Sequence, residues 1–189
     1  MAALSREDYF ESALDLVANE GFEALTIVRL CGALHVTAGS FYHHFRGSTD
    51  FLEALYDHWE KEHALRLVVQ AKAVRDPSTR LTLLKTLAAQ LPHASEAAIR
   101  AWSRSHPDVA AVQRRVDAAR IEVLVDTLQE LGLPLPEARL LADIAVAILV
   151  GTQEITGDRG HMTKVFTTVE QWIRQVADSF ASSSASAVS

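Results

Sequence analysis

The apolar residues of the chain recur with the spacing of α-helices rather than with the alternation of strands. The first stripe lies at positions i, i+3, i+4 and i+7 and consists of Phe10, Ala13, Leu14 and Val17. Ser5 can cap this helix at its start. Gly21 can end it, because glycine tolerates the left-handed conformation. The pattern therefore predicts a first helix between these two residues.

The same spacing predicts two short helices and then several longer ones. The short helices cover about residues 26–34 and 37–45 and are separated by a tight turn, with Thr26 and Thr37 as caps. A long fourth pattern follows Ser48, a further capping residue. The longer helices are predicted at about residues 49–74, 78–90, 94–104, 108–131, 137–156 and 162–180. The chain is therefore expected to be an all-α protein of about nine helices.

These elements divide the chain into a small head and a larger body. We expect a helix-turn-helix domain over residues 1–48 and a sensing and dimerisation domain over residues 49–181. Residues 182–189 are mostly serine and alanine, have nothing to bury, and are expected to form a disordered tail.

Charge and composition narrow the class of protein. A formal net charge of -6 argues against a general nucleic-acid coat protein, which should be basic. The segment 26–46 nevertheless contains two arginines, three histidines and no acid, so its surface should be mildly positive. The single cysteine, Cys31, allows no internal disulfide and is expected to be an inert core thiol. No apolar run reaches membrane length and no signal core is apparent, so we expect a cytoplasmic protein.

The segment 26–46 has the organisation that a helix-turn-helix requires. Its second helix must project from the domain to enter the major groove of DNA. Inward positions can form a small core and consist of Phe10, Leu14, Val17, Ile27, Leu30, Cys31, Leu34, Val36, Phe41 and Phe45. The remaining residues of the third helix are small or polar, which allows close approach to base edges and hydrogen bonds to phosphates. Arg29 on the second helix can reach a guanine or a phosphate.

Nine residues of this region resemble the N-terminal domain of the TetR family of transcription regulators: Gly21, Thr26, Val36, Thr37, Gly39, Phe41, Tyr42, His44 and Phe45. They stand at the spacing of the family pattern, in which a helix is followed by G-x-x-x-x-T, a short helix and V-S-x-G-x-L-Y-x-H-F. The resemblance covers about residues 5–56. Beyond it, only the number and lengths of the helices resemble the family.

The resemblance implies roles for individual residues. Thr26 would cap the second helix and touch phosphate. Phosphate contacts are further implied for Thr37, Tyr42 and His44, and base contacts for Ala38, Ser40 and His43.

Three positions depart from the family pattern. His35 replaces the usual turn glycine, so it must take a positive φ if the turn is kept. Cys31 replaces a usual alanine. Ser48 replaces a lysine that binds phosphate, which leaves Arg46 as the basic contact there and should lower the salt sensitivity of binding.

The family resemblance further implies a ligand-responsive regulator, as a rule a repressor, that binds a pseudo-palindromic double-stranded DNA operator and is released by a small-molecule effector. We expect a homodimer in which the last two long helices form a four-helix bundle with their copies. Its apolar faces would consist of Ile144, Ile148, Val165, Val169, Trp172, Ile173 and Val176. The two recognition helices would then lie about 35 Å apart, one turn of DNA.

Trp59, His63, Trp102 and His106 are candidates for the wall of an effector pocket, with ordinary core packing as the alternative. Several arginines of the body can form either a solvated helix face or an anion site: Arg100, Arg104, Arg114, Arg115 and Arg120. An arginine that points inward would favour an acidic ligand.

No cofactor, metal or enzymatic activity is predicted. The sequence has no G-x-S-x-G, no phosphate-binding glycine loop and no H-E-x-x-H. His43 and His44 diverge by about 100° on a helix and do not readily share one ion. Three alternatives stay open: a plain three-helix cap, a helical enzyme or ligand carrier, and a DNA-binding adaptor that needs no effector. A catalytic constellation would favour the enzyme, and a fully packed body would favour the adaptor.

Overall fold

The computed structural model of the chain describes residues 4–62, 66–156 and 158–186. This part of the chain contains ten α-helices, one short 3-10 turn and no strand, which confirms the all-α class. The elements are α1 Arg6–Glu20, the 3-10 turn Phe22–Ala24, α2 Ile27–Ala33, α3 Ala38–His44, α4 Ser48–Glu60, α5 Arg66–Lys72, α6 Pro77–Gln90, α7 His93–Ser103, α8 Pro107–Glu130, α9 Leu135–Ile155 and α10 Arg159–Ser186. Within these ranges every helix is too short or too polar to cross a lipid bilayer.

The described residues contain ten α-helices instead of the predicted nine or so because the predicted fourth helix is divided in two. Residues 49–74 contain two described helices, α4 and α5, on either side of residues 63–65, which lie outside the described ranges. The helices form two compact units. The first unit consists of Met1–Glu62 and Pro92–Arg114, and the second of His63–Leu91 and Arg115–Ser189.

Local hydrogen bonds explain where the first helices begin and end. Ser5 and Asp8 form a capping box at the start of α1, in which the Ser5 N–H donates to the Asp8 carboxylate at 2.7 Å. Gly21 ends α1 with a φ of 81°. The Thr26 hydroxyl caps α2 by accepting from the Arg29 N–H at 3.3 Å.

Two side chains that were predicted to cap helices do not do so. Thr37 occupies the N-cap position of α3, but its hydroxyl makes no capping hydrogen bond. Ser48 is the first residue of α4 rather than its cap, because Gly47 holds the N-cap position in extended backbone.

An aromatic core organises the first unit. Phe41, Phe45 and Phe51 are buried together, with ring centroids 4.9–5.5 Å apart. Tyr9, which the apolar stripe of α1 omits, is fully buried and meets Phe45 edge-on at 5.6 Å. Three residues predicted for this core are only partly buried: Ile27, Leu34 and Val36. The core therefore depends more on aromatic packing than the sequence pattern indicates.

The second unit has an aliphatic core built from α6, α8, α9 and α10. Its buried members include Leu128, Leu133, Leu141 and Ile173. The chain turns from α8 towards α9 at Gly132, whose φ is 96°.

The ends of the last two helices differ from the prediction. α9 begins at Leu135, two residues earlier than expected, because Pro136 is tolerated in the first turn of a helix. α10 continues to Ser186 instead of ending near residue 180, since residues 181–186 are alanine and serine and include no glycine or proline that would end a helix. Residues 187–189 of the predicted tail lie outside the described ranges.

Candidate DNA-binding surface and ligand cavity

The turn between α2 and α3 sets the direction of α3. His35 has a φ of 54°, so it takes the left-handed conformation that the missing glycine requires. The Val36 N–H donates to the Cys31 carbonyl at 2.9 Å, and the His35 N–H to the Gly32 carbonyl at 3.1 Å. These bonds close the turn and define the angle at which α3 leaves α2.

One face of α3 is exposed and the other anchors it. Phe41 and, just beyond the helix, Phe45 are buried in the aromatic core. Thr37, Ala38 and Gly39 are exposed at the start of the helix. Tyr42 (57 % exposed) and His43 extend the same surface. The structure thus brings together small side chains, a phenol and an imidazole on a solvent-facing helix.

Ser40 and His44 lie closer to α1 than their predicted DNA contacts require. The hydroxyls of Tyr9 and Ser40 share a hydrogen bond of 2.8 Å. The His44 ring packs 5.4 Å from the ring of Tyr9. Both side chains are partly buried, and the hydrogen bond of Ser40 and the ring contact of His44 lie within the first unit.

Both arginines of the segment 26–46 have acidic partners outside it. Arg29 forms an ion pair and a hydrogen bond with Glu20 at the end of α1. The Arg46 guanidinium lies 3.7 Å from the Asp50 carboxylate, which also accepts the Arg46 N–H at 2.9 Å. The positive surface expected from the segment alone is therefore partly neutralised by its neighbours.

Cys31 and the histidine pair have ordinary surroundings. Cys31 is buried, and this burial raises the pKa of its thiol, which disfavours a reactive thiolate. The rings of His43 and His44 are 5.2 Å apart and inclined at 78°. Among the described residues there is no group of three or more His, Cys, Asp or Glu side chains that could hold a metal ion.

The predicted pocket residues lie in the first unit. Trp102 is buried and stacks on Phe22 with centroids 3.6 Å apart, and His106 meets the same Phe22 ring edge-on at 5.1 Å. Trp59 is buried as well. His63 falls outside the described residues. The three described candidates pack among other side chains of this unit, which is the alternative that the sequence left open.

A cavity lies elsewhere, inside the second unit. Its volume is about 80 Å³, several times the space that one water molecule needs. Its apolar wall includes Leu84, Leu124, Val146, Leu149, Phe166 and Ile173, and its charged lining residues are Lys85, Arg120 and Glu170. Trp59, Trp102 and His106 do not line it. Arg120 is one of the five arginines that the sequence offers for an anion site, and no pattern in the sequence distinguishes it from the other four.

Glu170 is held by a network of side chains from α6 and α10. Thr82 donates to its Oε1 at 2.6 Å, Arg174 donates to the same oxygen at 2.8 Å, and Lys85 Nζ lies 3.0 Å from Oε2. Burial raises the pKa of Glu170, but the hydrogen bonds from these three residues outweigh burial and bring the pKa to about 2. Glu170 is therefore ionised at neutral pH, and its charge is balanced inside the chain.

The residues predicted for a dimer interface differ in how far they are exposed in the structure. Ile173 is 2 % exposed within a single chain and packs in the aliphatic core, so it presents no surface to a second copy. Val169 lines the cavity. Trp172 is exposed, and the remaining members are partly buried: Ile144, Ile148, Val165 and Val176. Leu140 and Ile155 of α9 are exposed apolar residues that the prediction missed.

Residues 10–55 match the family described as "Bacterial regulatory proteins, tetR family". The comparison with curated proteins gives no match. Among solved structures, the chain is similar to a TetR transcriptional regulator from Legionella pneumophila, with a TM-score of 0.71 and 15 % identity over 93 % of this chain and 98 % of that one.

Two further similar structures contain ligands. One is described as a transcriptional regulator from Saccharomonospora viridis in complex with choline, with a TM-score of 0.71 and 20 % identity over 86 % of this chain and 93 % of that one. The other is FadR from Bacillus subtilis in complex with stearoyl-CoA, with a TM-score of 0.64 and 14 % identity over 89 % and 97 %. At such identities these structures establish the fold.

Proposed function

We propose that this chain, whose residues 10–55 match the tetR family of bacterial regulatory proteins, is a transcription repressor that binds a DNA operator as a homodimer and is released by a small-molecule effector. The observation that carries the proposal is the exposed face of α3, where small and polar side chains project over a buried aromatic core. Such a helix suits the major groove of double-stranded DNA. The protein would act in the cytoplasm, where the chromosome lies.

The geometry supports different roles for residues of this face. Tyr42 and Thr37 would contact phosphates, since both are exposed and carry hydroxyls. Ala38 and His43 would face base edges. Ser40 is hydrogen-bonded to Tyr9, so it would orient α3 against α1 in addition to any contact with a base.

The remaining predicted contacts lie around this face. Thr26 would add a phosphate contact at the start of α2. His44 would contact phosphate from the side of α3 that touches α1. Arg29 and Arg46 would bind phosphate by exchanging their acidic partners for DNA.

Residues 1–48 would bind DNA, residues 49–181 would sense the ligand and dimerise, and residues 182–189 would serve neither role. The dimer would form through α9 and α10. Exposed apolar side chains on these helices, such as Leu140 and Trp172, support a further packing partner. Two-fold symmetry would then place two α3 helices about 35 Å apart on the operator.

The cavity of the second unit supports an effector-responsive body. A ligand changes DNA affinity only if it binds the DNA-competent and the released conformations unequally. An adaptor that needs no effector would be expected to have a fully packed body, so the cavity argues against that alternative. A ligand carrier would share the cavity but has no need of the exposed face of α3.

A gel-shift titration with the DNA upstream of the protein's own gene tests the proposal. Tyr42→Ala should weaken binding to all sequences alike, whereas His43→Ala should relax the preference between sequences. Lys164→Ala, an exposed change on α10, is the control and should bind like the unaltered protein. A chain that shows no preference for any DNA over a random duplex would contradict the proposal.

A further inference from the structure

A buried phenol contacts a hydroxyl at the edge of the exposed face of α3. Tyr9 of α1 is fully buried, and its hydroxyl lies 2.8 Å from that of Ser40, the third residue of α3. We propose that Tyr9 is a positioning residue for base recognition: it donates its O–H to Ser40, and the O–H of Ser40 is thereby left to donate to a keto oxygen of guanine or thymine. This inference rests on the proposed function, because it needs α3 in the major groove of DNA.

Aromatic packing holds the Tyr9 ring in one position. The rings of Phe41 and Phe45 meet it edge-on at 6.0 and 5.6 Å, and the ring of His44 lies 5.4 Å away. A fully buried ring that is enclosed in this way cannot turn its hydroxyl towards water. The Tyr9 hydroxyl therefore has to find its hydrogen-bond partner inside the protein.

Burial decides which of the two hydroxyls donates. Within the described residues, Ser40 is the one hydrogen-bond partner of the Tyr9 hydroxyl. If Ser40 were the donor, the O–H of Tyr9 would be buried without an acceptor, which is costly. The O–H of Ser40 carries no such cost, because Ser40 is partly exposed. A phenol is also a stronger acid than an alcohol and hence the stronger donor. Tyr9 is therefore the donor and Ser40 the acceptor.

The Ser40 hydroxyl then has a defined polarity towards DNA. Tyr9 occupies one of its two lone pairs, and its single O–H is available for a base edge. In the major groove guanine O6 and thymine O4 accept hydrogen bonds, whereas adenine N6 and cytosine N4 donate them. A keto oxygen pairs with the available O–H, while an amino group would leave it without an acceptor at the base. The preceding residues Ala38 and Gly39 are small and exposed, so the backbone can come close enough for a short serine side chain.

Selection from a pool of randomised duplexes by the full chain supplies the preferred DNA sequence. Fluorescence anisotropy then compares this duplex with duplexes in which one base pair of each half-site is reversed, which exchanges keto and amino groups between the strands. The pair whose preference disappears in Ser40→Ala is the pair that Ser40 contacts. In the unaltered chain, reversal of this pair should weaken binding at least about tenfold, as expected for a base contact made by both copies.

Tyr9→Phe removes the phenol hydroxyl and keeps the aromatic ring. Ser40 is then free to donate or to accept, so reversal of the same pair should weaken binding by less than about threefold. In the Ser40→Ala background, Tyr9→Phe should change the preference no further, because Tyr9 acts through Ser40. Tyr56→Phe removes a hydroxyl from another tyrosine of the first unit and is the matched control, whose preference should equal that of the unaltered chain. The affinity of every variant for the unselected pool should stay within about twofold, since the phosphate contacts are retained.

Base analogues establish the sense of the hydrogen bond. 2-Aminopurine in place of guanine removes O6, and 5-methyl-2-pyrimidinone in place of thymine removes O4. Loss of the keto oxygen at the Ser40 pair should weaken binding by the unaltered chain at least about fivefold more than binding by Ser40→Ala, a comparison that cancels the altered base pairing. Loss of the amino group of the opposite base, with purine in place of adenine or 2-pyrimidinone in place of cytosine, should affect the two proteins alike.

An unchanged preference in Tyr9→Phe would overturn the role of Tyr9, and a larger effect of amino loss than of keto loss would overturn the sense of the hydrogen bond. If circular dichroism shows that Tyr9→Phe does not fold, the comparison of base analogues decides by itself. A selected sequence without any pair that depends on Ser40 refutes this inference alone. Failure to enrich any sequence from the pool contradicts the proposed function instead.

Discussion

Replacing Glu20 with glutamine should increase the affinity of the protein for DNA. Glu20 engages the guanidinium of Arg29, the basic residue of α2. The variant keeps the size and polarity of the side chain but removes its charge. Arg29 would then be free to contact a phosphate without first breaking an ion pair.

The magnitude follows from the exposure of the pair. The two side chains are 47 % and 43 % exposed, so the pair contributes only about 0–1 kcal/mol to folding and the variant should remain folded. Because Arg29 would exchange Glu20 for phosphate in the parent complex, the variant avoids the loss of this ion pair, at most about 1 kcal/mol per head. Two heads per dimer gain at most about 2 kcal/mol, which corresponds to an affinity increase of up to roughly thirtyfold at low salt.

Fluorescence anisotropy with a labelled duplex of arbitrary sequence at low salt measures this affinity, because the effect does not depend on the operator. Glu53→Gln, an exposed change on α4, removes the same charge and is the matched control. The double variant Glu20→Gln/Arg29→Gln should lose the added affinity. If Glu20→Gln and Glu53→Gln bind with the same affinity, Arg29 does not reach phosphate and the reasoning is refuted.

Three further predictions concern stability, each measured by chemical denaturation. Glu170 has an ordinary pKa of 4.5 and a folded pKa of about 2, so its network stabilises the fold by at most about 3 kcal/mol above pH 4.5, and this stabilisation is lost as the pH falls towards 2. Glu170→Gln should be less stable at pH 7 and should show a weaker loss of stability in acid. If the stability of the variant and of the parent changes with pH in parallel, the Glu170 network does not cause the acid dependence. Leu128→Ala, at a fully buried core position, should lower the free energy of unfolding by about 2–5 kcal/mol, and a loss below about 1 kcal/mol would show that the site collapses around the change. Gly132→Ala should cost about 1–2 kcal/mol because the φ of 96° is strained for alanine, whereas Gly151→Ala within α9 should be neutral or stabilising; equal effects at the two sites would contradict the conformational argument.

Local signals in the sequence predicted the framework of the candidate DNA-binding surface. The stripe of α1, the cap at Ser5 and the cap at Thr26 each depend on residues within one helical turn, and the structure has them. The positive φ of His35 was implied by the family resemblance, because His35 stands where the family has its turn glycine. Such features can be read from the chain because the groups that interact are neighbours along it.

The location of the cavity could not be predicted in this way. Aromatic residues suggested a pocket around Trp59 and Trp102, but these side chains are buried in the first unit, where Trp102 stacks on Phe22. The cavity is instead lined by short aliphatic side chains from five helices. No spacing in the sequence records where five helices fail to fill space, because that depends on how their side chains meet.

The sequence by itself determined the helical class, the short helices around the turn and the polar face of α3, since each depends on hydrogen bonds and periodicity within a few residues. Only the tertiary structure decided that Ser40 bonds to Tyr9, that Glu20 engages Arg29, and that Arg120 lines a cavity. Ser40 and Tyr9 are 31 residues apart along the chain. Partners at such separations are chosen by the packing of whole helices, which no local pattern specifies.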